Sequence, residues 1–301
     1  LLLIAFPAEL LNSTVSEQYP RFSRRLPEVH TPWWDRFTDW VKRTPIVGGI
    51  LVTGLAAFIF GFSDPGFGFD ITSLRVVLSC ALALFVVGYL ASTISGAIIR
   101  RAWGLATEIE LKPLGLILTV VGVVISRVIE FAPGFLIGLI LGISLVGKTT
   151  VAQQAKATLV QAGVVFTLAM LGWLGYSFAV ATLDPNSFFT ALSFDTLVAV
   201  TAEGLTALFI GLLPFKFLDG QAVFQHSKVA WATAYAFAAA AFVLIVVPAS
   251  WGDTSGPLWL WMAFIIGFAV VALGLYLYFR FWAPPLDEDE EEESEQEKVD
   301  A

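Results

Sequence analysis

Cysteine is almost absent from this chain. Cys80 is the single one among 301 residues, so no intrachain disulfide can form and no thiolate cluster can hold zinc. Histidine is nearly as scarce: His30 and His226 lie far apart, and no H-E-x-x-H run pairs two imidazoles with a general base. These counts leave no metal set and no catalytic set, so no cofactor is expected. Charge is also sparse, at 14% of residues against about 25% in ordinary soluble domains. The net charge of -8 is local. Between Asp287 and Ala301 there are ten acids and one lysine, which leaves the rest of the chain close to neutral. A basic footprint for nucleic acid is therefore missing, and nucleic acid is excluded as a partner.

What fills the chain is apolar: 57% of residues are hydrophobic and the mean hydropathy is +0.79. Folded in water, such a chain would expose large apolar patches, so the lipid bilayer is its expected partner. The expected fold is all-α, a polytopic transmembrane helix bundle of about eight spans plus a truncated N-terminal span. The segments run about 46–62, 76–99, 114–131, 133–147, 159–182, 198–214, 229–248 and 258–281, most of them near the ~20 residues that cross a bilayer. Pro133 separates the third and fourth almost without a loop. They form either a tight hairpin or a kinked, partly re-entrant pair, and the reading leaves open whether both cross fully.

Four regions follow. Residues 1–11 are the end of an apolar segment, and the lack of a basic region before it argues against a signal peptide. Residues 12–44 are juxtamembrane and cytoplasmic. Within them TPWWDRFTDWVKR forms an amphipathic helix, with Thr31 as N-cap, Pro32 at the first position, and Trp33, Phe37 and Trp40 on one face. Its bed is the headgroup layer or, alternatively, a further soluble domain. Residues 45–282 are the transmembrane domain, and 283–301 a disordered acidic tail. Basic residues including Arg100, Arg101, Lys112, Lys148, Lys156, Lys216, Lys228 and Arg280 cluster in alternate loops. That alternation places the tail in the cytoplasm of a multi-pass plasma-membrane protein.

Few residues are candidates for chemistry. Ionisable groups inside lipid are costly and mark function by default; here they are Arg127, Glu130 and Glu203. Arg127 and Glu203 are expected either to pair or to share a polar cavity with Glu130, the alternative being charges that only snorkel or fix register. Both sites are expected toward the outer leaflet. The stretch IGLLPFKFLDG, Ile210 to Gly220, places Pro214 just before Lys216 and Asp219. Such a broken helix end forms a binding site or merely a sharp corner. Gly134, Gly138 and Gly142 recur every four residues, a spacing that gives one close-packing helix face. Gly142 to Thr149, GISLVGKT, satisfies the phosphate-loop pattern, but a working loop follows a strand and needs a later acidic strand end. With Gly142 assigned to a membrane helix and Lys148 to its basic flank, no nucleotide is expected.

At these stretches the chain resembles a known group. FPAELLNSTVSEQY (6–19), FGFSDPGFGFD (60–70), ISRVIEFAPGFLIGLILG (125–142), EGLTALFIGLLPFKFLDG (203–220) and SKVAWATAYAFAAAAFV (227–243) are similar to the FGLLP-motif-containing bacterial membrane proteins, whose activity is undetermined. The likeness covers most of the chain in order, with Ile210 replacing the first Phe of the name-giving motif. It implies a membrane domain that accompanies an extracytoplasmic region. LPFKFLDG also resembles the LDG motif of site-2 intramembrane metalloproteases, which would make Asp219 the counterpart of a zinc ligand; without H-E-x-x-H the resemblance implies a form without catalysis. The expected function is a non-enzymatic anchor or transducer with a possible protein partner. A transporter or channel is the alternative, and an intramembrane hydrolase a more distant one.

Overall fold

A computed structural model describes residues 45–62, 67–111, 141–147, 149–184, 187–215 and 218–246, together with the helical residues Val120, Val123, Val270, Leu273, Gly274, Leu277 and Tyr278. These residues are mostly helical. In order they form α1 (Pro45–Gly61), α2 (Ile71–Leu84), a π-helical stretch (Phe85–Leu90), α3 (Ala91–Trp103), β1 (Thr107–Leu111), β2 (Leu141–Leu145), α4 (Val151–Thr182), α5 (Phe188–Gly211), α6 (Gly220–His226), α7 (Lys228–Ala241) and a second π-helical stretch (Phe242–Val246). Four continuous helices are long and apolar enough to cross a membrane: Ile71–Trp103, Val151–Thr182, Phe188–Gly211 and Lys228–Val246. α1, with 17 residues, is ~25 Å long at 1.5 Å per residue and packs beside them.

The long helices outrun the apolar segments because polar caps define their ends. α2 begins where the Asp70 carboxylate accepts the Ser73 amide at 2.7 Å. The continuous helix closes at Gly104, whose φ of 67° suits a left-handed cap and whose amide donates to Arg100. Thr150 and Gln153 form a reciprocal capping box ahead of α4, and Ser187 caps α5. Each helix therefore starts one to three turns before the hydropathy rises.

α4 and α5 form the centre as an antiparallel pair. Small residues let their backbones meet: a Cβ at Gly172 would lie 2.9 Å from Thr201 Oγ1, and one at Gly204 2.9 Å from the Ala169 methyl. Lipid tails are as apolar as leucine, so close van der Waals contact rather than burial from water holds such helices together. Thr201 reinforces the pair by donating toward Ala169 O at 3.2 Å and to Leu197 O at 2.9 Å. α2 runs parallel to α5, with Val87 beside Gly204 and Arg75 beside Asp195. A core of Val87, Val165, Leu208, Val223 and Trp231 is almost wholly buried. The outer faces are the reverse: Phe178 is 71% exposed, Phe237 66% and Leu244 74%. Rows of large apolar side chains on long helices suit acyl chains, not water.

Two expectations need correction. The all-α reading omitted a two-stranded antiparallel sheet, in which Thr107 faces Leu145 and Glu110 faces Gly142. Gly142 thus belongs to a strand, not to the C-terminal end of a glycine-lined helix, and residues 141–145 do not continue a membrane span. TEIEL and LGISL each alternate in period two, and that pattern outweighs the apolar run in which the second is embedded. The ground for setting the phosphate-loop pattern aside changes as well: its first glycine and the next three residues lie within β2, not in a membrane helix. Gly134 and Gly138 lie outside the described residues, as do regions 1–44 and 283–301.

Candidate functional site

The Pro214 break is a corner built from backbone contacts. α5 ends at Gly211, since Pro214 supplies no amide for another helical turn. Leu213 donates to Ile210 O at 3.0 Å and Leu218 to Phe215 O at 2.8 Å, folding the chain back on itself. Gly220 then opens α6 directly against Leu212 and Leu213, where a Cβ would collide with the Leu212 carbonyl. Only glycine fits there. The carbonyl of Leu212 is claimed by the Trp231 indole N–H at 2.7 Å, so the first turn of α7 holds the end of α5. Trp231 meets Phe224 edge-on at 5.0 Å and stacks on Tyr235 at 5.5 Å; Phe209 stacks in turn on Tyr235 and Phe242. An aromatic ladder therefore ties α5, α6 and α7 together. Asp219 stands immediately before α6, while Lys216 lies outside the described residues.

Glu203 is the second feature. It lies on α5 about 22 Å from the helix start at Phe188 and about 12 Å from its end at Gly211. α5 begins ten residues before the apolar segment expected from the sequence, so Glu203 is not early in the helix. Its side chain is 3% exposed, and neither carboxylate oxygen has a hydrogen-bond partner among the described residues. Cys80 on α2 is within electrostatic reach and is itself buried in a small cluster with Ala57, Phe60 and Val123. Arg127 and Glu130, with which Glu203 was expected to associate, lie outside the described residues. Three further buried polar atoms lack partners: Ser92 Oγ, Gln161 Nε2 and Tyr235 OH.

The ion pair that the described residues do show was not anticipated. Arg75 Nε donates to Asp195 Oδ2 at 2.6 Å, with the two side chains 30% and 34% exposed. It joins the second turn of α2 to the third turn of α5, about two turns before Glu203 along α5. At the opposite end lie Arg100, Arg101, Lys156 and Lys228, all exposed, and Lys228 also rests over the Phe224 ring at 5.3 Å. Three of the four long helices thus carry exposed basic side chains at one common end, and the fourth, Phe188–Gly211, has no Lys or Arg. Chemically, the described residues assemble a rigid corner, an electrostatic clamp and an isolated acid. No group of three or more His, Cys, Asp and Glu residues able to hold a metal occurs among them. Comparison of the chain with protein-family models, curated proteins and solved structures finds no match.

Proposed function

We propose that the chain is a non-enzymatic membrane domain that anchors, and transmits conformational change to or from, an extracytoplasmic region or protein partner. The observation that carries this reading is the use made of the most distinctive motif. Residues 210–220 serve as a joint: Gly220 packs on the Leu212 carbonyl and Trp231 locks that carbonyl from α7. A fixed joint between successive spans passes a tilt of one helix on to the next, which is what a transducer requires. The common basic end of three of the four long helices supports a multi-pass plasma-membrane topology with that end, and the acidic tail, in the cytoplasm. The likeness to FGLLP-motif membrane proteins and the sequence expectation of about eight spans belong to the same proposal. Asp219 is then a corner residue, consistent with a non-catalytic relative of intramembrane metalloproteases.

A second reading, a transporter or channel, is favoured by one observation: the buried carboxyl of Glu203, without a partner among the described residues. The two separate in a reconstitution assay paired with a domain exchange. For an anchor or transducer, purified protein in liposomes gives no solute or ion flux above empty liposomes. Replacing residues 45–282 by an unrelated multi-pass domain of the same topology then keeps localisation in the native host. Flux that Glu203→Gln abolishes would establish the transporter reading instead.

A further inference from the structure

The isolation of Glu203 narrows what it can bind. Both oxygens lack a partner among the described residues and the side chain is 3% exposed, so it lies away from bulk solvent. Calcium and magnesium take six or more oxygens, yet among the described residues no other polar atom is in hydrogen-bond contact with this carboxyl. Nearby hydroxyls are directed elsewhere: Ser79 donates to Val76 O and Thr201 to Leu197 O. The charged groups on the packed helices do not compensate either. On α2, Cys80 carries no positive charge and Arg75 is held by Asp195 at the helix end. On α4, Lys156 and Tyr176 lie roughly two turns or more from the Val165–Ala169 level that faces Gly204. Tyr235 on α7 lies against Phe209 and Trp231.

We propose that Glu203 is a proton-binding site inside the membrane domain, its carboxyl occupied by a proton as its sole ligand. A proton is the one cation that a single carboxyl binds without help from other ligands. One residue on, at Gly204, the groups that close on α5 are the apolar side chains of Ala169, Val165 and Val87. This inference rests on the reading of α5 as a membrane span and goes beyond the anchoring role.

An apolar carbodiimide tests it on the intact protein in its native membranes. Dicyclohexylcarbodiimide partitions into lipid and reacts with carboxylic acids that carry their proton. The acid hydrogen passes to one carbodiimide nitrogen while the carboxyl oxygen bonds the central carbon, and one C=N bond becomes single. Acyl migration from oxygen to nitrogen then leaves a stable N-acylurea containing every atom of both reactants. At neutral pH the expected result is near-complete modification of the Glu203 peptide by mass spectrometry, with less than about a tenth as much from a water-soluble carbodiimide. Glu203→Gln abolishes the adduct. Should that variant fail to fold, the wild-type pair of reagents still decides the matter. An unmodified Glu203 peptide, or equal modification by the two reagents, overturns the proposal and points to an ionised carboxylate paired with a cation such as Arg127. A carbonate wash of the same membranes keeps the premise separate, because release of the chain would refute the span whatever the labelling shows.

Discussion

At the scale of single residues, the chain uses its few polar groups as fasteners. Trp231 is the clearest case, because its indole satisfies a buried carbonyl that the proline break leaves open. Trp231→Phe keeps the ring stack but orphans Leu212 O, which costs about 1–3 kcal/mol. A lower Tm in detergent is expected, with helical content unchanged at low temperature. Asp70 is a surface fastener of a different kind. Its hydrogen bonds from Ser73 hold the carboxyl below the ordinary range, so its capping contribution is present above the unfolded pKa and is lost as pH falls through the lower folded one. Asp70→Asn retains an acceptor, so amide exchange at Ser73 loses its acid-side acceleration in that variant and keeps it in the wild type. Neither role was legible beforehand. Arg75 and Asp195 stand 120 positions apart, and nothing local marks them as partners. Glu203 was legible as an intramembrane acid, because a lone charge in an apolar run stands out by composition alone. Its position along α5 was not, since that depends on where the helix begins.

At the scale of elements, close contact between small residues decides the architecture. Gly204 meets Ala169 with no room for a larger side chain. Gly204→Val drives α4 and α5 apart and is expected to destabilise by about 1–3 kcal/mol through overpacking. Gly163 has open space around its Cβ position. It costs at most a few tenths of a kcal/mol as Ala and often stabilises the helix. Paired thermal scans of Gly204→Val and Gly163→Ala check the contrast. The glycine spacing sought in the sequence, at 134, 138 and 142, pointed elsewhere; spacing alone does not tell a helix face from a strand, and Gly142 proved to be in β2. Hydropathy located the central stretches of α2, α4, α5 and α7 but not their ends, which are set by Asp70, Thr150 and Ser187 as N-caps. The corner was visible as Pro214 followed by Asp219-Gly220. Its purpose depended on Trp231, in another element.

At the scale of the whole molecule, both sides of the helices are apolar: the buried seams mix Ala, Ser and Thr with Val, Leu and aromatic residues, and the outer faces carry Phe, Leu and Val. Such a body is stable only where its surroundings are apolar. The long helices alternate in direction, with Arg101 and Lys156 at one end and Ser187 and Asp195 at the other. Crossing the bilayer is the claim on which the anchor, the corner and the proton site all depend. Its most direct measurement is labelling of single cysteines by a membrane-impermeant thiol reagent in sealed, oriented vesicles, on a Cys80→Ala background. Cysteines at Lys156 and Ser187 are expected to react from opposite faces, with Lys156→Cys accessible from the cytoplasmic side alone. Reaction of both from the same face would contradict the account.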